Sequence, residues 1–398
     1  MSEATVTRVS AAGSGRPQPL DLLYGETENE LRAAVRSVLE DKAAWPDVLA
    51  RTETAETYDT ALWHTLAADI GLAGLLIPEE HGGAGASYRE AAVVAEEIGR
   101  AIAPVPFLGS AVVATTALLS AGDAGLLAEL ASGAVTAALA VPFAAGPASL
   151  PAATVRIEAS RPGDEAGTYR LSGQVPGVAD ALPAGLLLVP ADGVPYGLYA
   201  VRVNGGGVGT APVVSLDQTR QLADLTFDGA LARQVAAGTQ AEAAVRAALL
   251  AGAGVLASEQ FGLADRALEL TVAYVRERRQ FARPVGGFQA IKHRLADLWV
   301  AVSQARAVAR AAADRLSQQN EAETELTVAL AKAACSDTAL KAAQEMVQLH
   351  GGIGFTWEHP AHLFLKRAKA DSIGFGTADA HRASLARLAN LPAPAAGA

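Results

Sequence analysis

Residues 21–132 carry apolar side chains at helical spacing. Thr27 and Glu30 fit the capping-box pattern of a helix N-terminus, and Ser87 with Glu90 fit the same pattern further along. The apolar positions that follow the first of these boxes are Leu31, Val35, Val38 and Leu39. The pattern therefore predicts an N-terminal domain made of helices.

The next part of the chain, residues 133–237, has a different texture. Short runs rich in Val, Leu, Tyr and Thr are separated by Gly, Pro and Asp, which is typical of strands joined by turns. The predicted strands are 168–171, 186–189, 198–203 and 222–227. We expect a small antiparallel β unit here.

Residues 238–391 return to a helical pattern that is rich in alanine. No proline occurs from 240 to 280, so one long helix is predicted there. Three further helices are predicted at 288–319, 321–348 and 362–390. Long helices with short links favour an antiparallel four-helix bundle, and the whole order is α+β. The two ends, 1–20 and 392–398, are predicted to be disordered tails.

Composition narrows the class of protein. The chain has 398 residues, enough for two or three packed units, and its formal charge of −10 argues against nucleic-acid binding. Cys335 is the one cysteine, so an internal disulfide is impossible, no metal site is predicted, and a reducing cytoplasm fits best. We see neither a signal peptide nor an uninterrupted apolar stretch, so no membrane insertion is predicted.

Three segments carry a specific resemblance. They are GLAGLLIPEEHGGAG at 71–85 ahead of EEIGR at 96–100, YVRERRQF at 274–281 with GFQAIKH at 287–293, and QLHGGIGFTWE at 348–358. In this order, with a β unit between them, they resemble the acyl-CoA dehydrogenase family, and in particular actinobacterial members that lack the usual catalytic glutamate. The resemblance spans nearly the whole chain. It implies a helical N-terminal domain, a middle antiparallel β-barrel-like domain and a C-terminal four-helix bundle.

The resemblance also implies FAD as the cofactor. In the family, matching residues reach across a dimer interface to the FAD of a neighbouring subunit, and it assigns this role to Arg278, Phe281, Gln348 and Gly352. An arginine fork suits a phosphate, and glycines such as Gly351 and Gly352 permit close backbone approach. Thr377, in the Gly-Thr pair that the family places near the flavin, is a weaker candidate. A plain cationic helix end and a helix C-cap are the alternative readings of these two segments.

The residue that acts as catalytic base in the family is absent from both of its usual positions in this chain. One position, just before the Gly-Thr pair, holds Phe375, and the other, on the long helix, holds Gly252. Neither side chain can accept a proton. Three carboxylates are weak candidates for a substitute base: Glu259, Asp371 and Asp379.

The β unit also departs from the family. The stretch 140–146 reads AVPFAAG where the family often has a flavin-binding Thr-Glu-Pro-Gly-like loop. A later strand motif near the flavin edge is replaced by QVPGV at 174–178. The resemblance therefore implies that the family's flavin-binding residues are replaced in the part of the FAD site within the chain, whereas those that face the FAD of a neighbouring subunit are kept.

Four hypotheses remain open from the sequence. The leading one is a FAD-dependent dehydrogenase of an acyl-CoA thioester that acts as the base-lacking subunit of a hetero-oligomer. The others are a homo-oligomer that uses an unrecognised base or a thioester with an unusually acidic α-proton, a flavin monooxygenase of the same fold, and a non-catalytic paralogue. The expected partners are an acyl-CoA substrate, an electron-transfer partner for the reduced flavin, and further copies or homologues of the chain. The acyl chain is not specified by the sequence.

Overall fold

The computed structural model describes residues 19–391 except 57, 159–166, 194 and 319–320. Nearly all of the two predicted tails, 1–20 and 392–398, therefore lies outside the described residues. The N-terminal part is helical, as predicted. Its helices are α1 (Glu26–Lys42), α2 (Trp45–Thr52), α3 (Thr60–His64), α4 (Tyr88–Ala101), α5 (Thr115–Ala121) and α6 (Ala124–Ala131). A π-type turn, Phe107–Ala114, leads directly into α5.

Local capping explains where two of these helices begin. Ser87 caps α4: its Oγ accepts a hydrogen bond from the Arg89 amide at 3.1 Å, and its own amide donates to Glu90 Oε2 at 2.9 Å. This predicted capping box is confirmed. The box predicted at Thr27 was wrong, because α1 begins two residues earlier and the Gly25 amide donates to the Glu28 carboxylate at 2.9 Å.

The middle part is a sheet of seven strands among the described residues. They are β1 (Ala137–Leu139), β2 (Val155–Glu158), β3 (Thr168–Ala179), β4 (Leu186–Ala191), β5 (Gly197–Arg202), β6 (Val208–Val213) and β7 (Leu222–Ala237). The order is β1-β4-β5-β7-β3-β2, with β6 paired to β7. An isolated bridge links Arg156 of the edge strand β2 to Asp192, the residue after β4. The predicted antiparallel unit needs one correction, because β1 pairs with β4 in parallel.

The C-terminal part contains five helices among the described residues. They are α7 (Thr239–Glu277), α8 (Gln289–Gln318), α9 (Glu321–His350), α10 (Ala361–Asp371) and α11 (Ala378–Leu388). A short hairpin, β8 (Arg279–Gln280) and β9 (Arg283–Pro284), joins α7 to α8. The single fourth helix predicted at 362–390 was wrong. Phe375 and Gly376 have φ of 51° and 98°, and this left-handed backbone separates α10 from α11.

Helix α7 is the central element that the other parts pack against. A Cβ atom added to Gly99 of α4 would lie 2.1 Å from the Glu259 carbonyl oxygen, and one added to Gly262 would lie 2.0 Å from the Glu96 carbonyl oxygen. Such a close approach of two helix backbones requires glycine. Among the described residues, α7 is also the one helix long and apolar enough to cross a membrane, but 72% of its apolar window is buried inside the protein. Its hydrophobicity is therefore accounted for by the core.

Candidate active site and cofactor surface

Phe375 and Gly252, the two positions where the family places its base, lie in contact. A Cβ atom added to Gly252 would stand 2.8 Å from Cζ of Phe375 and 3.0 Å from Cγ2 of Val113. The Phe375 side chain is only 5% exposed, so its ring is packed over the middle of α7. The two positions therefore hold an aromatic ring and a glycine, and neither of these side chains can accept a proton.

Phe143 closes the same space from the β unit. Its ring meets the ring of Phe375 edge to face, with centroids 5.5 Å apart, and a Cβ added to Gly374 would lie 2.3 Å from Phe143 Cζ. The cavity that remains beside the two rings is about 20 Å³, room for about one water molecule. Its walls include Leu108, Val113, Leu139, Val141, Ala179 and Asp180. The stretch 140–146 therefore packs against the bundle of its own chain.

The loop between α10 and α11 is fixed by hydrogen bonds from three elements. The Phe375 amide donates to the Phe143 carbonyl at 2.8 Å, and His381 Nε2 donates to the Phe375 carbonyl at 2.9 Å. Lys332 of α9 donates to the Gly376 carbonyl at 3.3 Å. Burial lowers the pKa of His381 to about 4 and the pKa of Lys332 to about 8. At neutral pH the imidazole is therefore uncharged and the amine is still largely protonated.

Glu259, a candidate base, lies in a buried ion-pair cluster. Arg220 Nη2 donates to both of its carboxylate oxygens at 2.6 and 2.7 Å, and Arg367 Nε donates to Oε1 at 2.8 Å. All three side chains are almost completely buried. Burial opposes ionisation of Glu259, but the two guanidiniums outweigh it and lower the pKa of its carboxyl. A carboxylate stabilised in this way is a weak base at neutral pH.

Asp371, the second candidate, belongs to the same cluster. Its carboxylate oxygens lie 3.4 Å from Arg220 Nε and 3.6 Å from Arg367 Nε, and neither oxygen has a hydrogen-bond partner. Burial, followed by the negative charge of Glu259, raises the pKa of Asp371 to about 7. The side chain does not line the cavity beside Phe375. Its shifted pKa therefore arises in the buried ion-pair cluster, away from that cavity.

Sequence reasoning missed several members of this cluster. Thr219, in the segment DQTR at 217–220, accepts a hydrogen bond from Arg367 at 3.0 Å. Asp180, which no motif indicated, accepts hydrogen bonds from Tyr58 and from the Gly109 amide, the latter at 2.8 Å. The only local signal for these groups is that they are charged or polar residues inside otherwise apolar segments.

Asp379, the third candidate, and Thr377 lie on the surface at the start of α11. The Asp379 side chain is 93% exposed and pairs with Arg382 at 2.9 Å. Thr377 caps the helix, since its Oγ1 accepts a hydrogen bond from the Ala380 amide at 3.3 Å. Neither side chain reaches the cavity beside Phe375.

The other predicted cofactor-binding residues lie at the far end of the bundle. They are Arg278, Phe281, Gln348, Gly351 and Gly352, and all five are exposed. The end of α7 meets the end of α9 there, since the Tyr274 hydroxyl donates to the His350 carbonyl at 3.2 Å. We call these five residues the cofactor surface.

The cofactor surface and the closed cavity are separate places in one chain. Lys332, beside the Phe375 loop, and Gln348, on the cofactor surface, are both on α9. Their separation of sixteen residues corresponds to about 24 Å along the helix.

The residues of the cofactor surface fit a phosphate-bearing cofactor. Among the described side chains none forms an ion pair with Arg278, so its guanidinium is available to an anion. A Cβ atom added to Gly351 or Gly352 would meet nothing within 4 Å, so their backbone is open to close approach. The cavity of the same chain does not fit a flavin, because the rings of Phe143 and Phe375 fill it.

Comparisons with known proteins agree with this architecture. The model of the acyl-CoA dehydrogenase N-terminal domain matches residues 25–134, and that of the C-terminal domain matches residues 242–389. The acyl-CoA dehydrogenase IpdE2 of Mycobacterium tuberculosis is 35% identical over 345 residues, which cover 86% of this chain and 91% of the relative. The predicted three-part fold and family are confirmed.

Two solved structures extend the comparison. A variant of the Tcur3481-Tcur3483 steroid ACAD is 30% identical and covers 92% of this chain and 98% of its own, with a TM-score of 0.81. The ChsE4-ChsE5 complex from Mycobacterium tuberculosis contains a chain that is 26% identical, covers 94% of this chain and 100% of its own, and has a TM-score of 0.82.

Proposed function

The chain belongs to the acyl-CoA dehydrogenase family of oxidoreductases, and we propose that it is the base-lacking subunit of a hetero-oligomeric, FAD-dependent acyl-CoA dehydrogenase. The observation that carries the proposal is the contact between Phe375 and Gly252, which fills both base positions of the family with an apolar surface. A homologous subunit with an open cavity and a glutamate at the position of Phe375 would supply the base.

The contribution of this chain is the cofactor surface. Arg278 would bind the phosphates of an FAD molecule seated in the partner, and Gln348 with Gly351 and Gly352 would contact it through an amide and open backbone. When bound, the flavin supplies hydride acceptance, which the amino acids of the protein cannot provide. The proton from the α-carbon of the thioester would go to the partner's carboxylate.

The relatives support an unequal pair and a bulky substrate. The description of one solved relative, a steroid ACAD, names two proteins, Tcur3481 and Tcur3483. Another solved relative is described as a complex of ChsE4 with ChsE5. We propose a steroid-bearing acyl-CoA as the substrate class, an electron-transfer flavoprotein-like carrier as the acceptor, and the cytoplasm as the location. The buried thiol of Cys335 agrees with a reducing compartment.

Co-expression with a homologous, glutamate-bearing subunit tests this function. We expect the chain alone to be colourless and inactive, and the complex to hold one FAD per pair of unlike chains and to oxidise a steroid-bearing acyl-CoA thioester. The measurements are the visible spectrum, the ratio of FAD to protein, and reduction of an artificial electron acceptor. If the chain alone holds stoichiometric FAD and oxidises the thioester, the proposal is wrong.

A pair of variants tests the cofactor surface within that complex. Arg278→Ala removes the unpaired guanidinium, and we expect it to lower the FAD content of the complex while leaving the two subunits associated. Arg382→Ala, an exposed arginine on α11 that pairs with Asp379, is the matched control and is expected to keep the full FAD content.

A further inference from the structure

Two rings connect the halves of the cofactor surface. The ring of Tyr274, in the last turn of α7, stacks on the ring of His350, the last residue of α9, with centroids 4.3 Å apart and planes at 27°. The Tyr274 hydroxyl also donates to the His350 backbone carbonyl at 3.2 Å. We call this contact the ring pair.

Each half of the cofactor surface follows directly from one member of the ring pair. The Arg278 amide donates to the Tyr274 carbonyl at 2.9 Å, and the Arg278 carbonyl accepts from the Val285 amide at 2.8 Å, which closes the hairpin. On the other side, Gln348 lies two residues before His350, and Gly351 follows it. The two halves are seventy residues apart in the sequence, and the ring pair joins them at the end of the packing between α7 and α9.

The His350 ring has one orientation and one tautomer. Its Nδ1 donates to the Met346 carbonyl at 2.6 Å, whereas its Nε2 is buried without a hydrogen-bond partner. The side chain is almost fully buried, and this burial lowers the pKa of the imidazole, which is neutral at pH 7. The ring of His359 packs against the ring of His350, with centroids 4.2 Å apart. His350 thus acts through ring packing, without a charge and away from solvent.

We propose that Tyr274 and His350 are positioning residues, which hold the Arg278 hairpin and the Gln348–Gly352 segment at the separation that one FAD molecule requires. The inference rests on the proposed function, because it takes the cofactor surface as a contact for FAD held by a partner. Neither ring needs to touch the cofactor. A loose contact between the two segments would let each move independently, and ordering them would then oppose binding.

Hydrogen exchange of the chain by itself tests the positioning step without any cofactor. In His350→Ala we expect faster amide exchange at 278–288 and at 348–356, whereas His350→Phe, which keeps a ring against Tyr274, is expected to exchange as the parent does. Unchanged exchange in His350→Ala would show that the ring pair does not hold the two segments, and would overturn the inference.

FAD affinity of the complex with the homologous subunit tests the consequence. Loss of an aromatic pair weakens packing, and we expect His350→Ala and Tyr274→Ala to raise the dissociation constant for FAD about tenfold, equivalent to about 1.4 kcal/mol. His350→Phe is expected to stay within about threefold of the parent. An equal loss in His350→Phe and His350→Ala would contradict positioning by ring packing.

Two control variants distinguish positioning by the ring pair from general destabilisation and from a misassigned cofactor surface. Tyr199→Ala removes one ring of a ring pair in the β unit, whose centroids are 5.1 Å apart, and it controls for general destabilisation: FAD affinity is expected to stay unchanged. Arg278→Ala tests the proposed function, namely that the cofactor surface binds FAD. If it leaves FAD binding intact while His350→Ala still speeds up exchange, the cofactor surface is misassigned although the ring pair holds the segments.

Discussion

The ring of Phe375 fills the space that a side chain at Gly252 would need: a Cβ atom at Gly252 would lie 2.8 Å from Cζ of Phe375. The two alternative base positions of the family thus converge on one point, from α7 and from the loop before α11. With an aromatic ring at one position, even a methyl group at the other fits only if one of the two side chains shifts. Introducing a carboxylate at Gly252 alone therefore cannot restore a base, because the ring already fills its place.

A double-mutant cycle at this contact should show strong coupling. In the parent, Gly252→Ala is expected to be destabilising by about 1 kcal/mol, since overpacking costs about 1–3 kcal/mol and the better helix propensity of alanine offsets about 1 kcal/mol. In a Phe375→Ala background the clash is gone, and the same change should become stabilising. The measurement is the free energy of unfolding in denaturant, and we expect a coupling energy of about 2 kcal/mol.

Gly125→Ala serves as the matched control for that cycle. Gly125 lies in α6, and an added Cβ atom there would have its nearest neighbour at 3.7 Å, an ordinary contact. It should not be destabilising in either background. Additive effects of Gly252→Ala and Phe375→Ala would show that the ring can move aside at little cost.

Glu259 should behave as part of a structural ion pair. Glu259→Gln leaves Arg220 and Arg367 buried with less compensating charge, and breaking a buried pair typically costs about 3–5 kcal/mol of unfolding free energy. Glu269→Gln also removes a carboxylate paired with two arginines, but that side chain is 52% exposed and should cost less than about 1 kcal/mol.

Thermal and denaturant unfolding of the two glutamine variants, together with turnover of the complex, separates the two roles of Glu259. A structural residue loses stability, and the folded remainder keeps its turnover. If Glu259→Gln is instead as stable as Glu269→Gln and abolishes turnover, Glu259 is a base.

Thr377 should matter to α11 more than to the cofactor. Its Oγ1 accepts the Ala380 amide, so Thr377→Ala is expected to cost about 1 kcal/mol of unfolding free energy, whereas Thr377→Ser should retain most of the cap. The cavity of this chain is closed by Phe143 and Phe375, so the FAD content of the complex should not change. A loss of FAD in Thr377→Ala alone, with Thr377→Ser normal, would place Thr377 at the cofactor.

Long, local patterns were predictable from the sequence. The absence of proline and the run of alanines were enough to predict α7, because a helix of this kind depends on residues a few positions apart. Ser87 and Glu90 predicted the start of α4 for the same reason. The breaks in these patterns were harder to predict: the separation of α10 from α11 depends on Phe143 and Lys332, which contact the loop from distant parts of the chain.

The site followed the same division. Family motifs indicated the residues of the cofactor surface, and their role in FAD binding stays a prediction. The same motifs located the two positions, Phe375 and Gly252, at which the catalytic base of the family is absent. They did not indicate that Phe143 fills the cavity, or that Glu259 is paired with Arg220 and Arg367, which lie 39 and 108 residues away along the sequence. Contacts of that range follow from how the β unit and α10 pack against α7, and the spacing of residues along one element does not predict them.

Asp371 should make the stability of the protein depend on pH. Burial and the nearby Glu259 charge raise the pKa of its carboxyl from 3.8 to about 7. Between about pH 4 and pH 7 the unfolded chain has lost this proton while the folded chain keeps it, so the free energy of unfolding falls as pH rises through this window. The stabilisation is complete below about pH 4 and is lost above about pH 7.

The variant Asp371→Asn isolates this effect, because asparagine has nearly the same shape and stays neutral at every pH. The difference in unfolding free energy, variant minus parent, should grow by on the order of 2–4 kcal/mol from pH 4 to pH 7 and then level off, since one pKa unit corresponds to 1.36 kcal/mol. His359 and His381, whose pKa values burial lowers to about 4, destabilise the fold as pH falls below 6.5, but both are present in the two proteins and cancel in the difference. Denaturant unfolding at pH 4, 5, 6, 7 and 8 measures the curve. A difference that stays constant over this range would mean that Asp371 ionises in the folded protein near its ordinary pKa, and that the two arginines stabilise it as they do Glu259.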